Sequence, residues 1–283
     1  MQIDKNTRVI ARFHTEANGT GLNIYNPYFE QQGINAIYVL FKGKQAQPLV
    51  KGLRNLGLTG AITAGFEHDA VLPTLVDELS EAAQLANRIG IISNKNGKLH
   101  AHYQGGEGLL SAITEKTDLT GKRVVIVGAG TVAKTLLLAI EQSEHKPSSI
   151  HVVNRTLEHA EALLDHFSYI TVHNLDTLAS LEGDVLINTT RIGSINEDTV
   201  FTPEIVSKFQ TVADVTFGDP NTNLITLARA SDLQVVTGWD MFTHQAAVVL
   251  RELLDHQADI AMLRQHVEKG LATNNHGAVP ERK

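Results

Sequence analysis

The chain contains 283 residues, 42% of them hydrophobic and 19% charged, and has a formal net charge of −7. This composition is typical of a globular protein with one large domain or two ordinary ones. The negative charge and the lack of a long basic cluster exclude nucleic acid as a main partner. The absence of cysteine excludes disulfides, thiolate metal sites and cysteine nucleophiles.

The N-terminal sequence, MQIDKNTRVIARF, lacks the apolar segment typical of a signal peptide. No stretch approaches the roughly 18 uninterrupted apolar residues of a membrane-spanning helix. We therefore expect a cytoplasmic protein that acts on a small molecule, has no membrane partner and exists as a monomer or a homodimer.

Short apolar, β-branched runs alternate with helical periodicity along the chain, which predicts an α/β fold with parallel strands. The predicted strands are Asn35–Phe41, Arg123–Gly128, Ile150–Asn154, Val185–Thr189, Val212–Thr216 and Gln234–Thr237. The predicted helices are 76–89, 131–143, 157–168 and a last helical stretch, 240–267. Residues 105–108 are rich in glycine and predict a turn at a boundary between two domains.

The most specific motif is VVIVGAGTVAKT, residues 124–135, in which a buried strand runs through a glycine-rich turn into a helix. In such a turn the first glycine bends the chain, the second lets a pyrophosphate approach the backbone, and a small third residue permits close helix packing. The residues predicted to bind a dinucleotide here are Gly128, Ala129, Gly130, Thr131, Val132 and Ala133. The alternative is a glycine-rich turn with no ligand.

The next strand ends with Asn154, Arg155 and Thr156, and these residues indicate which dinucleotide is bound. An NAD site usually has an acidic residue there for the ribose 2′-hydroxyl, whereas this chain offers a guanidinium suited to a 2′-phosphate. We therefore predict NADP as the cofactor, with NAD less favoured. In the alternative interpretation Arg155 is a solvated loop charge and Thr156 only caps the following helix.

Several segments resemble successive landmarks of the shikimate dehydrogenase family. They are GAGTVAK at 128–134, NRT at 154–156, INTTRIG at 187–193, DVTFGDPNTNL at 214–224, GWDMFTHQA at 238–246, IYNPYFEQQGINAIYVLF at 24–41 and LPTLVDELSEAAQLANRIG at 72–90. The resemblance implies an α/β protein of two domains. An α/β substrate-binding domain would comprise residues 1–104 and, as its C-terminal helices, 239–283, and a Rossmann-type NADP-binding domain would comprise residues 105–238.

In that family NADPH reduces a ring ketone, 3-dehydroshikimate, to the alcohol. The resemblance therefore implies an NADP-dependent oxidoreductase that acts on a small cyclic hydroxy acid or ketone related to shikimate. It also implies a substrate contact from Gln245. The further cofactor contacts that it implies are Thr189, Thr190, Thr216, Gly238 and Met241.

The chain departs from the family pattern at the catalytic residues. The family motif N-V-T-x-P-x-K falls on residues 62–68, so that His68 takes the place of the catalytic lysine. A later motif, N-T-D-G, places Tyr103 at the asparagine and Gly105 at the catalytic aspartate. Ser93 lies nearest to a substrate-contacting asparagine, and the two serines that usually hold the substrate carboxylate are missing from residues 8–23. The resemblance thus implies substrate contacts from His68, Ser93 and Tyr103.

An imidazole at the lysine position is suited to moving a proton on and off a substrate oxygen, because its ordinary pKa of about 6.5 lies near neutral pH. We therefore predict that His68 is catalytic, with Glu107 as the nearest partner carboxylate in the sequence. In the alternative interpretation Glu67, His68 and Asp69 are the solvated start of a helix, which Asp69 caps.

Two other interpretations remain open. His100 and His102 would share one face of a strand and, with His68, would give a metal site; we expect too few convergent ligands, and therefore no metal. A chain without the lysine and aspartate pair would otherwise bind NADP and a small ligand as a sensor or regulatory protein. Turnover of a substrate separates this alternative from an enzyme.

Overall fold

The structure is a computed structural model, and it describes residues 3–16, 19–63, 65–66, 69–193, 199–218 and 220–274. The chain divides into two compact units, one formed by Met1–Gln104 with Gln245–Lys283 and the other by Gly105–His244. Within the described ranges no helix is long and apolar enough to cross a membrane.

The strands and helices alternate through most of the chain. The strands are β1 (Arg8–His14), β2 (Ala36–Lys42), β3 (Gly60–Ile62), β4 (Glu78–Leu79), β5 (Ile91–Lys95), β6 (Lys98–His102), β7 (Arg123–Val127), β8 (Ser149–Asn154), β9 (Ile170–Asn174), β10 (Val185–Asn188), β11 (Thr211–Asp214) and β12 (Gln234–Val236). The helices are α1 (Thr20–Gln32), α2 (Ala46–Asn55), α3 (Leu72–Leu75), α4 (Glu81–Ala86), α5 (Gly105–Lys116), α6 (Thr131–Gln142), α7 (Leu157–Glu161), α8 (Pro203–Val206), α9 (Asn223–Ala230), α10 (Gly238–Leu254) and α11 (Ile260–Asn274). A 3₁₀ helix covers Leu175–Ser180.

The first unit contains a mixed sheet with the strand order β2-β1-β3-β5-β6-β4. Strand β1 is parallel to β2 and β3, whereas β5 is antiparallel to β3 and β6. Side chains alternate between the two faces of a strand. Ala11 and Phe13 therefore enter one core, in which Val50 and Leu53 of α2 also lie, and Arg12 belongs to the opposite face.

Helix α1 is joined to the edge strand β2 by a side-chain clamp. The Asn26 amide donates to the carbonyl oxygen of Tyr38 at 3.1 Å, and its oxygen accepts from the Tyr38 N–H at 2.8 Å. Helix α11 then approaches α1 closely, since a Cβ on Gly270 would lie 2.6 Å from Cγ1 of Ile24. These contacts fix where α1 begins relative to the carboxyl ends of β1 and β2.

The second unit contains a parallel sheet with the order β12-β11-β10-β7-β8-β9. The chain builds outward from β7 in one direction through β8 and β9, and in the other direction through β10 to β12. This is the arrangement of a Rossmann fold, in which ligands bind beyond the carboxyl ends of the strands where the order reverses. The predicted α/β class is confirmed.

Several element predictions are wrong in detail. Residues 76–89 are not one helix, because Glu78 and Leu79 pair with β6 as a strand. Ser80 then starts α4, since its hydroxyl accepts from the Ala83 N–H at 3.2 Å. The helix predicted at 157–168 is shorter, ending at Glu161. The last helical stretch is two helices, separated at Asp255 by a left-handed residue with φ of 51°.

The glycine-rich turn predicted at 105–108 is also wrong, because α5 begins at Gly105. Glycine is needed here for close helix packing rather than for a turn. A Cβ on Gly106 would overlap the backbone of Thr135 and Leu136 in α6. The two helices therefore meet backbone to backbone at this point.

Candidate functional site

The turn after β7 has the geometry that the glycine motif predicts. Gly128 has a φ of 109°, a region that L side chains rarely adopt. A Cβ at this position would also lie 2.5 Å from Oγ1 of Thr189. The Gly128 N–H donates to the carbonyl oxygen of Val153 at 2.8 Å, which ties the turn to β8. Gly128 is therefore required by the local structure, whether or not a ligand binds.

Gly130 is different, because no contact with a described residue requires a glycine there. Its φ of −83° and ψ of −168° suit any residue, it is exposed, and a Cβ would meet no atom of the described part of the chain within 4 Å. Gly130 is the N-cap of α6, so the first N–H groups of that helix point past it without intrahelical partners. Such a helix start attracts a phosphate group, and a glycine lets it approach the backbone.

The remaining residues of the motif lie in the first turn of α6. Thr131 and Val132 are half-buried, whereas Ala129 and Ala133 are buried, with Ala133 completely inaccessible. The small side chain of Ala133 leaves room for close packing of the helix.

A buried polar network forms the neighbouring turn after β10. The Asn188 oxygen accepts from the hydroxyl and the N–H of Thr190 at 2.6 and 3.1 Å. The Asn188 amide donates to the Ile192 carbonyl at 3.0 Å and to Oδ2 of Asp214 at 3.3 Å. Oδ2 of Asp214 also accepts from the Thr222 hydroxyl at 2.9 Å.

The hydroxyl of Thr189 donates to the Val127 carbonyl at 2.9 Å. The hydroxyls of Thr189 and Thr190 thus hold the turn itself.

Thr216 follows β11 at the same edge of this sheet. Its N–H donates to Oδ1 of Asp214 at 2.9 Å. Its Oγ1 is buried and, among the described residues of the second unit, is the one buried side-chain polar atom with no hydrogen-bond partner. Buried hydroxyls in native proteins nearly always have partners. An unsatisfied hydroxyl at the ligand-binding edge fits a contact to a bound cofactor.

The start of α10 is packed against the backbone of Thr216. The Thr237 hydroxyl donates to Oδ2 of Asp240 at 2.7 Å and accepts from the Asp240 N–H at 3.3 Å, a reciprocal helix cap. A Cβ on Gly238 would overlap the Thr216 carbonyl. Met241, one turn into the helix, is 6% exposed. Gly238 is therefore a packing residue.

At the end of β8 the Asn154 amide donates to the Thr156 carbonyl at 2.7 Å and closes a short turn around Arg155. Arg155 is exposed and forms no ion pair with another described residue. Thr156 occupies the N-cap position of α7, but its side chain makes no capping hydrogen bond. The contact of Arg155 and Thr156 to a 2′-phosphate stays a prediction.

The proposed catalytic segment begins where β3 ends. The Thr63 N–H donates to the Gly90 carbonyl at 3.1 Å, and its hydroxyl bonds to the Ile89 carbonyl. Glu67 and His68 lie outside the described residues. The Asp69 carboxylate accepts from the Val71 N–H at 2.9 Å, just before α3. Asp69 thus closes a turn just before α3 but does not cap the helix, because Val71 is its N-cap residue and no side chain makes a capping hydrogen bond.

The other predicted substrate residues occupy separate elements. Ser93 is 4% exposed in β5, paired with Gly60 of β3 and His100 of β6. Tyr103 directly follows β6, and Gln245 is half-buried in α10. Glu107, the predicted partner carboxylate, lies in the first turn of α5. Their contacts to a substrate stay a prediction.

His100 and His102 do lie on the same face of β6, but each contacts a different side chain. Nδ1 of His100 is 2.8 Å from the Glu78 carboxylate, and Nδ1 of His102 is 3.1 Å from Oγ of Ser80. Among the described residues there is no group of three or more His, Cys, Asp or Glu side chains able to hold a metal ion.

Comparison with known proteins gives consistent results. A family model described as shikimate/quinate 5-dehydrogenase matches residues 110–210. An NADP-dependent shikimate dehydrogenase from Colwellia psychrerythraea is 32% identical over 200 residues, which cover 69% of this chain and 71% of that protein.

Solved structures show the same fold. Shikimate 5-dehydrogenase from Listeria monocytogenes, in complex with shikimate and NAD, has a TM-score of 0.81 at 21% identity and covers 94% of this chain and 98% of its own. A 5-ketofructose reductase from Gluconobacter has a TM-score of 0.75 at 25% identity and covers 94% and 99%. The identity and coverage of the Colwellia relative confirm the predicted resemblance: the chain belongs to the shikimate dehydrogenase family.

Proposed function

We propose that this protein is an NADP-dependent oxidoreductase that interconverts a secondary alcohol and a ketone on a small cyclic hydroxy acid related to shikimate. The observation that carries the proposal is the exposed, unobstructed Gly130 at the start of α6, where the sheet order reverses. The names of the Colwellia and Listeria proteins support the reaction type and the substrate class.

The residues of the second unit would hold NADP as follows. The first turn of α6 receives the pyrophosphate at Gly130, Arg155 and Thr156 bind the 2′-phosphate, and Thr216 offers its unsatisfied hydroxyl. When bound, NADP supplies or accepts the hydride. The orphaned Thr216 hydroxyl and the unpaired guanidinium fit such a ligand.

The proton that accompanies the hydride needs an acid–base group on this chain. In the proposal His68 donates a proton to the substrate oxygen as a ketone is reduced, and removes it as an alcohol is oxidised. The first unit would supply the other substrate contacts through Ser93, Tyr103 and Gln245. Glu107 is proposed as the carboxylate that orients the imidazole or stabilises its protonated form.

The variant His68→Ala is expected to lower kcat by about 10²- to 10⁴-fold, because general acid–base catalysis contributes on that scale. NADP affinity should stay unchanged. Turnover is measured by nicotinamide absorbance with shikimate, quinate and fructose as substrates and both dinucleotides as cofactors. Asp69→Ala is the matched control, since it removes only the bond to the Val71 N–H.

Full activity of the His68 variant would exclude its role in proton transfer. No turnover with any substrate, together with normal NADP binding, would favour the sensor alternative over an enzyme.

The variant Arg155→Ala is expected to weaken NADP binding by about ten- to a hundredfold and to leave NAD binding nearly unchanged. A hydrogen bond to a charged group contributes about 1.5–3 kcal/mol, and only NADP carries the 2′-phosphate. Fluorescence titration of both dinucleotides measures the ratio. Arg123→Ala is the control, because Arg123 is an exposed arginine at the amino end of β7, whereas Arg155 follows the carboxyl end of β8. Equal losses for NADP and NAD would contradict the assignment.

A further inference from the structure

Strand β1 carries an arginine in an otherwise buried part of the sheet. Arg12 lies between Ala11 and Phe13, which are 0% and 2% exposed. Nε of Arg12 is buried and has no hydrogen-bond partner, and Arg12 forms no ion pair with another described residue. Arg12 as a whole is half-buried, and a partly buried guanidinium with an unsatisfied Nε is stabilised by an anion that pairs with it. The presence of Arg12 therefore points to an anion supplied from outside the described chain.

A second unsatisfied group lies beside this arginine. Tyr38 is 0% exposed, and its hydroxyl makes no hydrogen bond of regular geometry with a described residue, although the Arg12 side chain lies close enough to interact with it. Its ring stacks on Tyr25 with the centroids 4.8 Å apart. Burial raises the pKa of the Tyr38 hydroxyl, and the nearby Arg12 charge opposes that effect. The hydroxyl is therefore a neutral donor held next to the guanidinium.

These groups lie at the start of α1. A Cβ on Gly21 would sit 2.5 Å from the Tyr38 hydroxyl, so this oxygen touches the first turn of the helix. That helix of 13 residues is capped by Gly19 without a side-chain hydrogen bond, and it has no acidic residue in its first turn. Its N–H groups and its dipole therefore also favour an anion at this position.

His14 completes the cluster. It is 7% exposed, and its Nδ1 is buried without a hydrogen-bond partner in the described ranges. Burial, together with the charges of Arg12 and Lys42, lowers the pKa of His14. The charged form of the imidazole is therefore disfavoured, which leaves Arg12 as the cation of the cluster.

We propose that Arg12 and Tyr38, with the first turn of α1, bind the carboxylate of the substrate and that Arg12 determines specificity for an acid over a neutral ketose. The planar guanidinium matches a carboxylate with two parallel hydrogen bonds, and Tyr38 adds a third donor. This inference rests on the proposed function and assigns the acid group to named side chains.

The test measures binding without a dinucleotide, so that it does not depend on turnover. Shikimate, its uncharged methyl ester, quinate and inorganic phosphate are titrated by calorimetry into the full chain. Wild-type protein is expected to bind at least one of the two acids, and Arg12→Gln to weaken that binding at least tenfold. Tyr38→Phe should weaken it less. Arg8→Gln is the matched control, because Arg8 shares the strand and the face but donates to the Leu254 carbonyl at 2.9 Å.

Melting curves without ligand show whether each variant folds, and Arg12→Gln is expected to melt close to the wild-type temperature, since Arg12 is half-buried and makes no ion pair with another described residue. Phosphate that competes with the acid, and that also depends on Arg12, supports the oxyanion site. Unchanged acid binding by Arg12→Gln, equal binding of the methyl ester, or no binding of any oxyanion overturns the proposal. If the protein binds the acid through Arg12 but shows no turnover, the carboxylate site is supported and only the proposed reaction is excluded.

Discussion

Gly130→Val is expected to lower the affinity for NADP by at least about a hundredfold, or about 2.7 kcal/mol, while the fold stays intact. The backbone at Gly130 is extended, a conformation that valine readily adopts, and a Cβ there meets no atom within 4 Å in the residues that the structure describes. The new side chain would instead occupy the path of the pyrophosphate to the start of α6. Titration of the dinucleotide, together with a melting curve, measures both effects.

The affinity of Gly130→Val for NAD should fall as much as its affinity for NADP, because the pyrophosphate is common to both dinucleotides. Arg155→Ala provides the comparison, since it is expected to affect NADP alone. A change of at most about 1 kcal/mol in stability is expected from replacing the cap residue. If Gly130→Val binds both dinucleotides normally, the turn has no ligand, and the alternative interpretation of the motif is correct.

Gly106→Ala is expected to destabilise the protein by at least about 3 kcal/mol. The added methyl group would overlap backbone atoms of Thr135 and Leu136, which cannot rotate away as the end of a side chain can. Helices α5 and α6 would have to separate, with loss of their packing. A fall of roughly 10 °C in the melting temperature is expected for a protein of this size.

The control for this variant is Gly52→Ala. Gly52 lies inside α2, where a Cβ would meet nothing within 4 Å. Alanine should therefore stabilise that helix by about 0.5–1 kcal/mol, because glycine costs more backbone entropy. If Gly106→Ala melts like the wild type, the two helices do not approach each other as closely as the structure shows.

The sequence predicts five of the six strands of the second unit, and the central ones, β7, β10 and β11, are parallel and buried on both faces. Such strands appear in the sequence as continuous apolar runs, and RVVIV of β7 is an example. The edge strand β9 is not predicted, because only Ile170 of its five residues is buried and polar residues interrupt the run. Strand β1 is not predicted, since Arg8, Arg12 and His14 interrupt its apolar pattern on one face. The three residues of β3 are too few to show a period.

The segment 76–89 shows how tertiary contacts override helical periodicity. The Asp77 N–H donates to the Leu99 carbonyl at 2.9 Å, and the Asp77 carboxylate accepts from the Leu99 N–H at 2.7 Å. These bonds hold the chain beside β6 and delay the helix until Ser80 caps it. They join residues distant in sequence, so local pattern alone does not reveal them.

The strand, turn and helix around residues 128–133 were predictable because one short motif specifies all three, and the cofactor contacts of these residues stay a prediction. The network of Asn188, Asp214 and Thr222 was not, since it depends on the register of β10 against β11. Arg12 and Tyr38 meet only after β1 and β2 pair and α1 folds back on them. The catalytic roles of His68 and Glu107 stay predictions.

The polar network around Asn188 also has a kinetic consequence. The side chains of Asn188 and Thr190 already bond to the backbone of Ile192 and so hold the turn after β10 in one conformation. A bound dinucleotide would therefore not have to order this turn. Little conformational entropy is then lost at this turn on binding. Association of NADP and NAD should therefore proceed at similar rates, and the preference between them should be expressed in how long each stays bound.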